Sequence, residues 1–109
     1  MQNTVVEAIN LLVTAFSSKF DDFHGVYLYG IFLDGKNHKN KDIELVAIFD
    51  VENKLKREII WPIVGKIETD LDVFIDLNPT TMENLKLDRD LYDEIMINGK
   101  FFKPVKMAS

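Results

Sequence analysis

The pattern of hydrophobic and polar positions predicts a helix, two strands, a second helix, a third strand and a last helical region. Residues 3–19 carry hydrophobic side chains at helical spacing, which is typical of an amphipathic helix that packs on a sheet. Residues 26–31 and 42–50 are short runs rich in Val, Ile, Leu, Tyr and Phe, and they predict two strands. The polar segment 33–41 between them is too long for a tight hairpin and suits a binding loop.

The second half of the chain predicts a helix, a strand and a last helical region. Hydrophobic residues four apart predict a helix over residues 51–69, which Pro62 should kink or divide. Alternation over residues 70–77 predicts a third strand, and a right-handed crossover would make it parallel to the second. Asn78, Pro79 and Thr80 should end this strand, and a last helical region should stop at Gly99 in a left-handed conformation.

These elements predict the fold class. We expect a small α/β domain, with a mixed three-stranded sheet and helices packed mainly on one face of it. The 109 residues are enough for one core of modest size, so residues 1–109 are interpreted as a single domain. A short domain of this kind leaves a sheet edge or face thinly covered, which favours a homodimer or a partner protein.

Composition and charge narrow the classes of function. The sequence has no cysteine, which excludes disulfides and thiolate metal sites. Its longest hydrophobic runs are far below the roughly 18 residues that span a bilayer, and no signal-peptide pattern opens it. We therefore expect a cytoplasmic protein without a membrane segment. The net charge of −5 argues against binding to extended nucleic acid, because such binding requires many contacts of Lys and Arg with phosphate.

Two carboxylates mark the candidate chemistry at the start of the second predicted strand. Asp42 and Glu44 are two residues apart, so in a strand they project from the same face and can hold a divalent cation between them. Gly30 permits the close backbone approach that a phosphate resting on N–H groups requires. If the two strands are antiparallel neighbours, Gly30 and the carboxylates meet at the same edge of the sheet.

A third carboxylate and a small basic patch complete the candidate site. Asp72 lies near the start of the third predicted strand, where a parallel arrangement would bring it to Asp42 and Glu44. The alternative is an exposed strand face that carries aspartates without a role. Lys39 and Lys41 offer local positive charge for a small anionic substrate, and the alternative is a solvated turn.

The spacing of these residues resembles the signature of the minimal nucleotidyltransferases in the DNA polymerase β-like superfamily. That signature is Gly-Ser, ten residues and then Asp-x-Asp or Asp-x-Glu, with a third acidic residue at the start of a later strand. Here Gly30 and Ile31 precede ten residues and then Asp42 and Glu44, and Asp72 fits the later position. The resemblance covers nearly the whole chain from residue 26 onward, although isoleucine stands at the serine position.

The resemblance implies an enzyme that moves a nucleoside monophosphate from a nucleoside triphosphate, with ATP expected, to a hydroxyl of a protein or small molecule. It implies two bound Mg²⁺ ions. The implied metal-binding and catalytic residues are Asp42, Glu44 and Asp72. The implied nucleotide-binding residues are Gly30, Ile31, Lys39 and Lys41.

The same resemblance implies a partner. Minimal nucleotidyltransferases often accompany a HEPN-domain protein as the antitoxin half of a toxin–antitoxin pair, and some add AMP to the toxin. The alternative is a degenerate relative that keeps the fold and acts only as a binding or interaction module. The intact carboxylates favour the enzyme, whereas Ile31 favours the degenerate module because its side chain offers phosphate no hydrogen bond.

Overall fold

The structure is a computed structural model that describes residues 3–104. Within these residues, four helices and four strands follow one another, with a short 3₁₀ helix, Ile31–Asp34, after the first strand. In chain order they are α1 (Asn3–Lys19), β1 (Phe23–Tyr29), β2 (Asp42–Phe49), α2 (Lys54–Leu71), β3 (Phe74–Thr81), α3 (Met82–Leu87), α4 (Arg89–Asn98) and β4 (Lys100–Phe102). No helix in this part of the chain combines the length and hydrophobicity that crossing a bilayer demands.

The strands form one mixed sheet in the order β3, β2, β1, β4. Strand β1 is antiparallel to β2 and β4, whereas β2 and β3 are parallel. The predicted α/β class and mixed sheet are confirmed, but the sheet has four strands rather than three. The additional strand, β4, has only three residues, which is too short for an alternating pattern to be visible in the sequence.

Helices cover both faces of the sheet. Helices α1 and α2 pack on one face, in a core that includes Phe16, Ile60 and Leu45. A second cluster, built on Val46 and Ile48, joins β2 to α3 and α4. Because neighbouring residues of a strand face opposite sides, the two clusters lie on opposite faces. The two long helices thus lie on one face, as expected, and the two short helices cover the other, so the second half of β2 is buried on both sides.

Helix α2 is continuous through Pro62 and extends two residues beyond its predicted end. The Asn53 side chain caps its start by accepting a hydrogen bond of 2.8 Å from the Lys56 N–H. Pro62 lies on the exposed side, while Ile60 and Val64 anchor the helix in the core. Packing of the hydrophobic side thus maintains one helix despite the missing proline N–H.

Strand β3 begins and ends four residues later than the sequence predicts. Residues 70 and 71 complete α2, and Pro79 lies inside β3 instead of ending it. Proline is tolerated there because β3 is an edge strand with a hydrogen-bonded neighbour on one side only. This displacement changes which acidic residue reaches the candidate site.

Gly99 ends α4, but its backbone is extended, with φ −68° and ψ 159°, rather than left-handed. The chain passes directly from Gly99 into β4. Glycine fits this position for a steric reason, since a β-carbon would lie 2.5 Å from the carbonyl oxygen of Ile95. The prediction of a left-handed stop is therefore wrong, although the helix does end at this residue.

Candidate functional site

Acidic residues from β2 and β3 lie side by side where these strands begin. Asp42 and Glu44 share one face of β2 because they are two residues apart. Asp76 of β3 pairs in register with Glu44, and Tyr29 of β1 pairs with Glu44 from the other side. Residues that pair across strands lie on the same face of a sheet. We call Asp42, Glu44 and Asp76 the acidic patch.

The acidic patch carries negative charge that no neighbouring cation neutralises. Within residues 3–104, none of its carboxylates forms an ion pair with Lys, Arg or His. Burial, followed by the charges of Asp76, Glu94 and Asp42, raises the pKa of Glu44. Burial, followed by the charges of Glu44 and three further carboxylates, raises the pKa of Tyr29 to about 12. A bound cation would relieve this repulsion.

Glu94 brings a further carboxylate to this region from α4. Its charge acts on both Glu44 and Tyr29. Glu94 also lines an open cleft of about 500 Å³ together with Gly30 and Asp34. The cleft therefore joins the end of β1 to the side of α4 that faces the patch.

Asp72 does not join the acidic patch. It follows α2 as the C-terminal cap, with a left-handed backbone at φ 53°, and its N–H donates to the carbonyl of Glu68. It lines a separate cavity of about 310 Å³ with Ile43. Because Ile43 and Glu44 are neighbours in β2, they face opposite sides of the sheet. The structure thus brings Asp76, and not Asp72, to the expected pair of carboxylates, because α2 continues through residue 71 and delays the start of β3.

Lys39 and Lys41 line the same cavity as Asp72. Neither lysine lines the cleft that contains Gly30. The loop that carries them is held at its start by Asp34, whose carboxylate accepts a hydrogen bond of 2.8 Å from the Lys36 N–H. The predicted basic patch and the predicted phosphate site therefore belong to different cavities.

Gly30 directly follows β1 and contacts Glu44 of the acidic patch, as its spacing from Asp42 led us to expect. Its backbone has φ 83° and ψ −153°, a region that is essentially restricted to glycine. A β-carbon at this position would overlap Oε2 of Glu44 and lie 2.9 Å from its Cδ. Glycine is therefore required by the backbone conformation, and its lack of a side chain leaves the space in which the Glu44 carboxylate lies.

Ile31, at the position of the family's serine, begins the 3₁₀ helix after Gly30. Its side chain is 43% exposed. An isoleucine side chain has no hydrogen-bonding group, so only the backbone N–H of this residue can contact a phosphate. The site therefore keeps the glycine of the signature and lacks its hydroxyl.

The acidic patch suits Mg²⁺ by the chemistry of its donors, because this ion prefers carboxylate oxygens and retains several waters. The side chains are not arranged as a ready-made ligand cluster. Among residues 3–104, no group of three His, Cys, Asp or Glu side chains stands in positions that could hold a metal ion. The residues that fit a cation are therefore Asp42, Glu44 and Asp76, with side-chain movement needed to gather them around it.

Several solved structures share this architecture. One is a toxin–antitoxin structure with AMP-PNP, with a TM-score of 0.65 and 20% identity over 96% of this chain and 76% of that chain. An MntA–HpeT toxin–antitoxin mutant gives a TM-score of 0.63 and 20% identity, over 89% of this chain and 73% of that chain. A tri-AMPylated Shewanella oneidensis HEPN toxin in complex with MNT antitoxin gives 0.58 and 17%, over 93% of this chain and 73% of that chain.

These similarities show that the chain has the minimal nucleotidyltransferase fold. The resemblance inferred from the sequence is thereby confirmed for the fold. No protein-family model matches the sequence, and no curated protein matches it.

Three residues of the site were not among the sequence-based candidates: Asp76, Tyr29 and Glu94. A signal for Asp76 was present, because Ile75 and Leu77 place a single aspartate inside a hydrophobic run, much as Ile43 separates Asp42 from Glu44. Glu94 gave no comparable signal, since it is one of several acidic residues on α4. Only the packing of α4 on the sheet brings it to the cleft.

Proposed function

We propose that this protein is a Mg²⁺-dependent nucleotidyltransferase that transfers AMP from ATP to a protein hydroxyl. The observation that carries the proposal is the in-register pairing of Glu44 and Asp76, with Asp42 on the same face and Gly30 beside them. Similar structures support ATP as the nucleotide and a protein as the acceptor, since one contains AMP-PNP and another a tri-AMPylated HEPN toxin. The acceptor that we propose is a HEPN-domain partner, for which this protein would serve as the antitoxin.

The reaction requires charge compensation and positioning more than covalent help from the protein. The acceptor oxygen forms a bond to the α-phosphorus. The bond between the α-phosphorus and the oxygen that bridges it to the β-phosphorus breaks, and pyrophosphate leaves with that oxygen. Bound Mg²⁺ supplies positive charge for the phosphate oxygens. In this chain, Asp42, Glu44 and Asp76 would hold the metal. Asp76 would also accept the proton of the acceptor hydroxyl, and Gly30 would admit the phosphates to the backbone.

The charge of the site makes cation dependence part of the proposal. A nucleoside triphosphate is highly anionic, and the acidic patch has no basic partner among the described residues. Like charges at close range repel strongly where the site is partly removed from water. Nucleotide should therefore bind with Mg²⁺ and not in its absence.

The test measures thermal unfolding with ATP, GTP, CTP and UTP, each with Mg²⁺ and with a chelator. A ligand at about a hundred times its dissociation constant adds about 2.7 kcal/mol to the free energy of unfolding. In a domain of this size, that raises the midpoint by about 10 °C. The shift should require Mg²⁺ and should be absent from Asp42→Asn. The absence of a shift with every triphosphate would refute the proposal.

A second candidate function is a nucleotide-independent interaction module. Two observations favour it: Ile31 offers no hydroxyl to a phosphate, and the Glu44 carboxylate rests on Gly30. A protein of this kind would bind its partner equally well with and without ATP. The unfolding experiment separates the candidates, because this second function predicts the same midpoint under every nucleotide condition.

A further inference from the structure

We propose that the Glu44 side chain blocks the surface of Gly30 on which a phosphate would rest, so that nucleotide binding requires this side chain to move away. The inference rests on the proposed function, since it concerns access of a nucleoside triphosphate to the same site. It assigns to Glu44 a gating role in addition to the metal-binding role implied by its position.

The contact between the two residues is close. Because glycine has no side chain, there is space beside the Cα of Gly30, and the Glu44 carboxylate fills that space. A β-carbon at position 30 would overlap Oε2 of Glu44 and would lie 2.9 Å from Cδ and 3.6 Å from Cβ. A phosphate that rests on a backbone N–H requires an oxygen at about 2.9 Å from the nitrogen. The Glu44 carboxylate occupies the side of Gly30 where a β-carbon would stand, so a phosphate brought to that side of the glycine would meet a group that fills the space and repels it.

The backbone of Glu44 cannot move to open the site. Glu44 pairs with Tyr29 in β1 on one side and with Asp76 in β3 on the other. A residue in a central strand is fixed by the ladders on both of its sides. The block can therefore open only by rotation of the Glu44 side chain.

The length of the side chain determines whether it reaches Gly30. Glutamate is longer than aspartate by one carbon–carbon bond, about 1.5 Å. An aspartate at position 44 would retain the negative charge on the same face of β2 and draw the carboxylate back from the glycine. Glu44→Asp therefore separates the blocking role from the charge. Glu44→Gln is the matched control, because it keeps the length and removes the charge.

The surroundings of Glu44 favour a block that can be released. Its neighbours Asp42 and Asp76 are carboxylates, and no ion pair holds Glu44 in place among residues 3–104. A side chain held mainly by packing can rotate when a better partner arrives. The affinity for nucleotide is then reduced by the fraction of molecules in which the site is open.

The experiment is isothermal titration of ATP, in excess Mg²⁺, into the wild type, Glu44→Asp and Glu44→Gln. Circular dichroism and the thermal midpoint establish that both variants are folded. If the site is open in about one molecule in ten, Glu44→Asp should bind ATP about tenfold more tightly than the wild type. Glu44→Gln should bind no more tightly than the wild type, because its side chain still reaches Gly30.

Two results would overturn the inference while leaving the proposed function intact. One is that the wild type binds ATP and that Glu44→Asp binds it with an equal or lower affinity. The other is an increase in Glu44→Gln as large as that in Glu44→Asp, which would assign the effect to charge rather than length. If neither the wild type nor Glu44→Asp binds ATP, the proposed function fails and the inference fails with it.

Discussion

Glu44 of β2 and Asp76 of β3 are in-register neighbours in the parallel part of the sheet, and their negative charges repel each other. Such a pair adds nothing to stability by itself, because two carboxylates at close range repel. It becomes favourable when a cation lies between them. This relationship leads to predictions that separate the residues of the site from residues that only resemble them in sequence.

Asp76→Asn should abolish the Mg²⁺-dependent stabilisation by ATP, whereas Asp72→Asn should retain it. Asp76 pairs with Glu44, while Asp72 caps α2 and lines a separate cavity with Ile43. The difference between the variants should approach about 2.7 kcal/mol at a hundredfold excess over the dissociation constant. Thermal unfolding with and without Mg²⁺-ATP measures it. The opposite ranking would place the third carboxylate at Asp72.

Glu44→Gln should change how stability depends on pH. Burial, followed by the charges of Asp76, Glu94 and Asp42, raises the pKa of Glu44 above its ordinary value of 4.5. The folded protein therefore holds this proton more tightly than the unfolded chain does. The stabilisation that results is fully present below pH 4.5 and is lost as the pH rises through the folded pKa.

The glutamine variant should therefore lose less stability than the wild type between pH 4.5 and neutrality. Urea unfolding at a series of pH values measures the two curves. Glu58→Gln is the control, because Glu58 is exposed on α2 and the change in net charge is the same. Parallel curves for the wild type and Glu44→Gln would contradict the prediction.

Gly30→Ala should be destabilising for two separable reasons. The backbone conformation of Gly30 costs about 1–3 kcal/mol in a residue with a β-carbon. The β-carbon also overlaps the Glu44 carboxylate. The same substitution made in Glu44→Ala should cost less, because the overlap is removed while the backbone strain remains.

A double-mutant cycle measured by urea unfolding isolates the steric part. Residues in direct contact typically show a coupling of at least about 0.5 kcal/mol. Strictly additive effects of Gly30→Ala and Glu44→Ala would mean that the carboxylate does not rest against the glycine in solution.

Lys56→Met should destabilise the fold without affecting nucleotide binding. The Lys56 ammonium donates hydrogen bonds of 2.6 Å to Asp22 and 2.5 Å to the Val51 carbonyl, and it lies 4.5 Å from the centre of the Phe49 ring. The substitution leaves Asp22 without its cation. A fully buried pair costs about 3–5 kcal/mol when broken, and the partial exposure of Asp22 reduces this to about 2–3 kcal/mol.

Lys66→Met is the matched control for this prediction. Lys66 also pairs with an aspartate, Asp70, but its side chain is 76% exposed. Exposed pairs contribute little to stability. Urea unfolding compares the two variants, and equal losses from Lys56→Met and Lys66→Met would show that the buried position of Lys56 has no special role.

The sequence was sufficient to predict the first half of the site. The strand alternation placed Asp42 and Glu44 on one face, and the antiparallel pairing of β1 with β2 brought Gly30 to them. These relationships depend on residues close in the chain and on a single loop. Local pattern is enough for such a prediction.

The sequence analysis placed the third carboxylate at Asp72 rather than Asp76 because two patterns overlap at the end of α2. Leu71 continues the four-residue repeat of the helix, and with Val73 and Ile75 it also begins the alternation of a strand. The left-handed backbone of Asp72 ends the helix and delays the strand, and nothing in the local sequence pattern predicts this conformation. Moving the start of the strand by four residues replaces Asp72 with Asp76 at the site.

The second layer of helices was likewise beyond the local pattern. The uninterrupted hydrophobic run over residues 45–49 is compatible with a strand buried on both faces, and all five residues are buried. However, α3 and α4 are short, and polar residues make up half of each, so the sequence did not show that they pack against the sheet. Their burial depends on a few contacts, such as those of Leu85 and Ile95, which only the folded chain defines.

The unequal burial along β2 has an evolutionary consequence. The strand begins with Asp42 and Glu44, which are exposed or half-buried, and continues into residues that form both cores. Changes at the beginning of the strand, or at the exposed Ile31, can alter or erase the chemistry while the fold remains intact. A lineage with this fold can therefore lose the proposed activity by single substitutions and still inherit a stable scaffold.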